Sequence, residues 1–461
     1  MKLPEIIDSI SKSLNEVGAR AILVGGAVRD HFLGTEIKDY DIEVYGLKRL
    51  EELEAILSRF GKVDQVGKSF GILKFRYEGE EYDFSFPRSE KKTGVGHRGF
   101  DVKCDGNLSF IEASRRRDFT INAMGYDIYR RVFIDPHNGL RDIEHKVLRH
   151  IDEKSFIEDP LRVYRAIQFA ARFEYRLDDK TFALCASMVE SGMLEELPQE
   201  RIYVEFQKLL LKARRPSIGL ELMRSLGILR YFPELEALID IPQSSKWHPE
   251  GDVWTHTLMS VDVMAKLKTG QSKKDLKLML AVLCHDFGKA THTQITAGKI
   301  TAIGHAKASI ALTKSFLYRL TNEHNFINSI LPLVEHHLKP SIYYRNQAKD
   351  KTIRKLSTLV NIEELVAVAK ADALGRATKE AKEGIYLAGE WLLDRAKALS
   401  VNKKPPLPLL QGRDLIALGL KPSKAFKKLL KQSYDAQLSG EITTKDEALV
   451  YICDLLGISK L

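Results

Sequence analysis

Asp39, Asp41 and Glu43 stand at alternate positions of a β-like run, DYDIEVY, which follows an apolar stretch (Ile22, Leu23, Val24), a Gly25-Gly26 pair and a helix-like segment. Side chains alternate across a strand, so these acids share one face while Tyr40 and Ile42 take the other. Carboxylates held that close raise each other's pKa unless a cation lies between them. An oxygen-only set of this kind suits Mg²⁺, which completes its shell with substrate phosphates. The glycine pair, at the start of a helix, lets backbone N–H groups approach an anion closely. Together the two patterns point to a nucleoside triphosphate held on metal. A third acid, Asp83, alternates with Tyr82 and Phe84 in GILKFRYEGEEYDFSF, which reads as two strands about Glu78-Gly79-Glu80. Asp83 and Glu43 are both candidates to complete the set.

Cations follow these acids along the chain. Residues 87–106, PRSEKKTGVGHRGFDVKCDG, are rich in Gly and charge and read as a mobile loop over the site, with Arg88, Lys91, Lys92 and Arg98 able to meet phosphate. RRRDFTINAMGYDI then sets three arginines before Asp118, a costly concentration of charge away from an anion. Arg117 and Asp118 are the candidates there, and a surface cluster with a local ion pair is the plainer alternative. In SFIEDPLRVYRAIQFAARFEY, Asp159 can cap a helix and Pro160 fits its first position, with Leu161, Tyr164 and Phe169 opening an apolar stripe. Arg162 and Arg165 share a face. Glu158 and Arg162, four apart, would make a helix salt bridge worth about half a kcal/mol, whereas a functional reading uses the planar fork of Arg162 on a base edge.

A second set lies further on: His256, His285-Asp286, His305, His336-His337 and Asp372, each in a helical pattern. Imidazole and carboxylate on successive helices are plausible ligands for a divalent metal with a position open to water. The His-Asp dyad ends an apolar helix (Leu278 to Leu283) and is followed by Gly288-Lys289. Finally, Lys403-Lys404-Pro405-Pro406 reads as a linker, and Lys424, Lys427, Lys428 and Lys431 fall on one face of a helix, a basic surface suited to phosphate. Each of these lysines alone is equally a solvated surface residue.

The elements that must position these residues change character along the chain. Its 461 residues are too many for one ordinary core. The reading is α+β: a small mixed α/β head over residues 1–145, then all-α segments over 146–240 (a neck), 241–400 (carrying the histidine set) and 401–461 (a tail). A net charge of +9 is consistent with a polyanionic partner. Four single cysteines argue against a disulfide framework and fit a reducing cytoplasm. The amphipathic, mixed-charge N-terminus lacks a signal-peptide core and no run is long enough to span a membrane, so the expected location is cytosolic.

Taken jointly, GGAVRD (25–30), DYD (39–41), DFSFPRSEKKTG (83–94), RRDFTINAM (116–124) and EDPLRVYRAIQFAARF (158–173) resemble the class II tRNA nucleotidyltransferases, the CCA-adding enzymes and bacterial poly(A) polymerases of the polymerase β superfamily. The resemblance covers the first half in motif order and spacing. His256, His285-Asp286 and Asp372 resemble the ligands of an HD phosphohydrolase domain, with His305, His336 and Lys289 as supporting residues. The resemblance implies a polymerase β-like head in which Asp39 and Asp41 hold Mg²⁺ with Asp83 as third acid, and Gly25, Gly26, Arg29, Arg117 and Asp118 serve the triphosphate. Asp159 and Arg162 would read the base of CTP or ATP, with Arg165 in support; where some relatives repeat an arginine, this chain has Gln168. The implied partner is tRNA, with the tail lysines in contact, and the HD site would take Mg, Mn, Ni or Co. Residues 87–106 favour complete CCA addition over CC addition. A-only addition, poly(A) synthesis, and an HD phosphohydrolase with an RNA-binding head are the rivals.

Overall fold

The apolar run from Ala21 to Val24 is buried on both faces, which is why it reads as continuous rather than alternating. It forms strand β1 (Arg20–Val24), followed by β2 (Asp41–Tyr45), β3 (Lys62–Gln65), β4 (Ile72–Tyr77), β5 (Glu80–Ser85), the pair β6 (Arg88–Lys92) and β7 (Phe100–Cys104), then β8 (Gly125–Asp127) and β9 (Val132–Ile134). The computed structural model describes residues 1–65, 71–92 and 100–458, and of residues 65, 89–92 and 100–103 the backbone alone. Among the described residues one seven-stranded sheet runs β3-β4-β5-β2-β1-β8-β9. Its pairings are antiparallel except that of β2 with β5, whose parallel register sets Asp41 opposite Asp83. Between β4 and β5, Glu78 and Gly79 both take positive φ (49° and 86°), the backbone of a tight primed turn whose twist matches the strands it joins.

Two expectations change here. β2 begins at Asp41, so Asp39 lies in the coil before the strand and not at an alternate position within it. Residues 87–106, whose composition predicts a loop, contain an antiparallel ladder, Arg88 opposite Cys104 through Lys92 opposite Phe100. Glycine and charge argued for a loop, but the ladder is made by backbone groups, which need no apolar side chains to pair. Arg98 and the side chains of Lys91 and Lys92 lie outside the described residues.

The chain divides into two compact units, Met1–Ile228 and Leu229–Leu461. In the first, the sheet is followed by helices, among them Leu161–Phe173, Gln199–Lys212 and Pro216–Ser225. Gly219 lets these three close on one another, since a Cβ there would sit 2.5 Å from Leu209 and 3.2 Å from Ala171. The Leu161–Phe173 helix starts one residue later than its sequence indicates: Pro160 is the cap residue and the Asp159 carboxylate accepts the Leu161 N–H at 3.2 Å. Because Glu158 ends the preceding helix, Glu153–Glu158, it and Arg162 do not share a helix face, and Arg162 donates instead to the Ser155 and Arg116 carbonyls.

The second unit is helical apart from a small hairpin, Gln294–Thr296 with Lys299–Thr301. Val253–Lys266, Ser272–Cys284, His305–Tyr318, His324–His336 and Ile362–Leu374 carry or adjoin the histidine and aspartate positions. In the tail, the Lys424–Ser439 helix packs Phe426, Leu429 and Leu430 against Leu415, Ile442 and Ile452, leaving Lys424, Lys427, Lys428 and Lys431 exposed.

Candidate functional site

In the first unit the parallel β2–β5 register carries the chemistry. It brings Asp83 beside Asp41 although they are distant in sequence, with the Asp83 N–H donating to the Tyr40 carbonyl at 3.0 Å. Desolvation raises the pKa of Asp41, and the neighbouring Asp83, Asp39 and Glu43 add to the rise against the opposing charge of Arg117. Among the described residues Asp83 Oδ1 has no hydrogen-bond partner, and it meets Lys74 Nζ at 3.7 Å. Crowded carboxylates with an unused oxygen are what a hard divalent cation relieves, so the residues present fit Mg²⁺.

Glu43, the other candidate third acid, does something different. It is 3% exposed, and its Oε1 accepts from Arg116 Nη2 and Arg117 Nη2, both at 3.0 Å, while Oε2 accepts from the Tyr45 hydroxyl at 2.7 Å. Burial works to raise its pKa, but the two guanidinium groups outweigh it and keep Glu43 ionised. The arginine run is therefore anchored from behind by a strand carboxylate, and Arg117 is held against the glycine turn. Gly25 has φ +70°, and a Cβ there would lie 2.8 Å from Arg117 Nη1, so the turn needs glycine for both conformation and space.

The pocket beside these acids is lined by Gly25, Gly26, Arg29, Asp41, Arg88, Arg116, Arg117, Asp118 and Asn122 of the sheet region and by Asp159, Arg162, Arg165, Gln168, Arg172 and Arg201 of the helices. Sequence-predicted residues from five motifs thus meet in one place. Arg29 reaches it braced: it is buried, donates to Asp30 Oδ1 at 2.8 and 2.6 Å and to Asn122 Oδ1 at 2.6 Å, and lies over the Phe173 ring. Asp118 is a buried hub that accepts from Arg165 Nε at 2.7 Å, Asn122 Nδ2 at 2.9 Å and its neighbour Phe119 N–H at 2.8 Å. Its burial is outweighed by Arg165, Asn122 and Arg162, so its pKa is held below the ordinary value. Asp159 meets Arg201 at 3.4 Å. Gln168 is 2% exposed and its Oε1 has no hydrogen-bond partner among the described residues of this arginine-rich pocket.

In the second unit, His256, His285, Asp286, His305, His337 and Asp372 converge, all buried. The structure corrects one expectation, since His337 and not His336 enters the cluster: the two side chains point about 100° apart, and the packing of the bundle turns His337 toward it. Two glycines set the spacing. A Cβ on Gly288 would lie 2.1 Å from the His305 carbonyl, and one on Gly375 2.2 Å from Ser260 Oγ, so neither helix crossing tolerates a side chain. Asp286 lies 3.1 Å from His285 Nε2, 3.2 Å from His305 Nε2 and 2.5 Å from Lys289 Nζ, while Asp372 pairs with His256 at 3.2 Å and Arg376 at 2.9 Å. Burial opposes ionisation of Asp286 and Asp372, yet His285 with Lys289 and Arg376 with His256 hold them well below the usual carboxylate range. Buried, rich in imidazole and supplied with two carboxylates, the cluster fits a divalent transition metal. Glu250 and His248, not among the predicted residues, complete its back wall, with Glu250 Oε1 2.9 Å from His256 Nδ1 and from His248 Nδ1. The signal for them was available in HPEGDVWTH, where both precede His256.

Residues 21–149 match the poly A polymerase head domain, 174–239 the probable RNA and SrmB-binding site of polymerase A, and 253–377 the HD domain. The chain's fold is that of solved CCA-adding enzymes. The Bacillus stearothermophilus enzyme in complex with CTP is 22% identical, with a TM-score of 0.69 over 98% of each chain. A CCA-adding enzyme with ATP is 22% identical (TM-score 0.63, 100% of this chain and 96% of that one). The Thermotoga maritima enzyme complexed with tRNA is 21% identical (TM-score 0.60, 99% and 96%). No helix among the described residues is long and apolar enough to cross a membrane.

Proposed function

We propose that this protein adds or repairs the 3′-terminal CCA of tRNA from CTP and ATP in the cytoplasm. The observation that carries the reading is the register of β2 on β5, which sets Asp41 and Asp83 together at the edge of an arginine-lined pocket. Mg²⁺ held by Asp39, Asp41 and Asp83 would lower the barrier to attack of the RNA 3′-hydroxyl on the α-phosphorus and stabilise pyrophosphate. Arg117, steadied by Glu43, and the Gly25-Gly26 turn grip the triphosphate, with Arg29 braced behind. Arg162, and the lone pairs of Asp159 that Leu161 and Arg201 leave unused, address the base edge. Arg165 holds Asp118, which orders the floor of the pocket. Similarity to structures that hold CTP, ATP and tRNA supports the substrates. The paired strands at 88–104 support the complete reaction over CC addition. On this reading residues 1–145 are the head, 146–240 the base-reading neck, 241–400 a metal-dependent phosphohydrolase centred on His256, His285, Asp286 and Asp372, and 401–461 a tRNA-contacting tail.

The test is incorporation of labelled CTP and ATP into tRNA lacking its 3′ end. Asp41→Ala is expected to abolish incorporation, and activity surviving that change would rule out the assigned site. ATP-only use extended into long tails would reassign the protein as a poly(A) polymerase.

A further inference from the structure

Arginine and lysine side chains, which donate hydrogen bonds and cannot accept them, make up much of the lining of the pocket in the first unit. A ribose hydroxyl entering it brings a proton that needs an acceptor. Among the described lining residues the side-chain acceptors are Asp41, Asp118, Asn122, Asp159 and Gln168. The first four are engaged. Asp41 belongs to the acid set that fits Mg²⁺. Asp118 meets the Phe119 N–H and Asn122 Nδ2 with one oxygen, and Arg165 Nε and Nη2 with the other. Asn122 Oδ1 accepts from Arg29 Nη1, and Asp159 accepts from Leu161 and Arg201. We propose that Gln168 is a specificity-determining residue whose amide oxygen accepts a hydrogen bond from a ribose hydroxyl of the incoming nucleotide. The proposal rests on the reading of this pocket as the nucleotide site.

Gln168 lies on the Leu161–Phe173 helix, with Oε1 buried and without a hydrogen-bond partner among the described residues. A buried amide oxygen left without a donor destabilises the protein, and its place in the pocket wall gives that cost a use. The guanidinium groups one turn to either side are already taken. Arg165 is held by Asp118, while Arg172 lies 5.0 Å from the centroid of the Phe173 ring and 4.0 Å from Asp30. Where some relatives repeat an arginine, which only donates, glutamine supplies an acceptor, and its amide can turn end for end about its last bond to present it.

Position along the helix selects the sugar over the base. Gln168 stands nearly two turns beyond Arg162, about 9 Å at roughly 1.5 Å per residue, too far to share the base edge assigned to Arg162. On its other side the neighbouring Phe169 ring has Arg29 Cζ 5.6 Å from its centroid, and Arg29 Nη2 lies 3.4 Å from where a Cβ on Gly26 would be. That glycine turn is the triphosphate end of the pocket on the same reading. Gln168 is therefore set between the groups that address the base and those that address the phosphates, which is where a nucleotide carries its ribose.

The experiment measures kcat/KM of the full-length protein for single incorporation of CTP, 2′-deoxy-CTP and 3′-deoxy-CTP into tRNA lacking its 3′ end, in the parent, Gln168→Leu and Gln168→Glu. Leucine keeps much of the volume without an acceptor, and glutamate keeps an acceptor oxygen. Gln168→Leu is expected to lower kcat/KM for CTP about tenfold, the worth of one hydrogen bond, while leaving one deoxy analogue within about twofold of the parent, and that analogue identifies the hydroxyl. Gln168→Glu should retain the parent's preference. An equal fall for all three nucleotides, or no change in any, overturns the assignment and leaves the nucleotidyltransferase reading standing. A change confined to discrimination of CTP from UTP places Gln168 on the base edge and also overturns it. A parent protein that incorporates no nucleotide overturns the underlying reading and the assignment with it. Leucine removes a buried amide whose oxygen lacks a partner, so the Tm without nucleotide should not fall; if it does, Gln168→Met repeats the comparison with an unbranched side chain.

Discussion

Replacing Glu43 by Gln separates two roles that its place on the strand makes equally plausible. The change keeps the volume and the Tyr45 contact but removes the charge that holds Arg116 and Arg117, and turns at least one amide N–H toward a guanidinium. Breaking a buried ion pair by removing one partner costs about 3–5 kcal/mol. Because the amide retains one acceptor oxygen, we expect about 2–3 kcal/mol here, each lost charge-assisted bond contributing ~1.5–3 kcal/mol. At roughly 2–4 °C per kcal/mol for a unit of this size, the first unfolding transition should drop by about 4–12 °C in calorimetry. Arg117 loosened by about 1.4 kcal/mol should raise KM for CTP and ATP roughly tenfold, with kcat changed far less. The reasoning is refuted by the opposite pattern, in which kcat is lost while KM and Tm are unchanged, since a metal ligand would behave that way.

Gly25→Ala forces a side chain into a glycine-only backbone region, at about 1–3 kcal/mol, and displaces Arg117; Tm should fall and KM for both nucleotides rise, and an unchanged Tm would contradict the φ and the 2.8 Å contact. Asp118 has a depressed folded pKa, so the stability it contributes is present above the unfolded carboxylate pKa of about 3.9 and is lost as pH falls through the folded value. Tm measured from pH 7 down to 3 should therefore fall less steeply below pH 4 for Asp118→Asn than for the parent, and equal slopes would remove the assignment. Changing Lys424, Lys427, Lys428 and Lys431 together to Gln should weaken tRNA binding uniformly and flatten the log Kd against log salt plot by up to about 3 units of slope, whereas an unchanged slope would show that this face meets no phosphate.

What could be read directly from the residues were patterns complete within a few positions. The apolar run into Gly25-Gly26, the turn at Glu78-Gly79, the His-Asp dyad after an apolar helix and the lysine face of the tail are each dictated by backbone conformation or burial of a single element. The head-then-helices order was equally legible, because period-2 and period-3.6 patterns occupy different stretches. Which side chains meet was decided by registers between elements far apart in the chain. Asp41 faces Asp83 because β2 and β5 pair in parallel, Glu43 serves the arginines because they cross behind its strand 73 and 74 residues later, and Asp39 falls outside the ladder. His336 and His337 are indistinguishable in a sequence, yet one helical step turns a side chain by about 100°, so only the packing of the bundle could choose His337. Composition and spacing select the atoms available for chemistry; long-range pairing decides whether those atoms share a site.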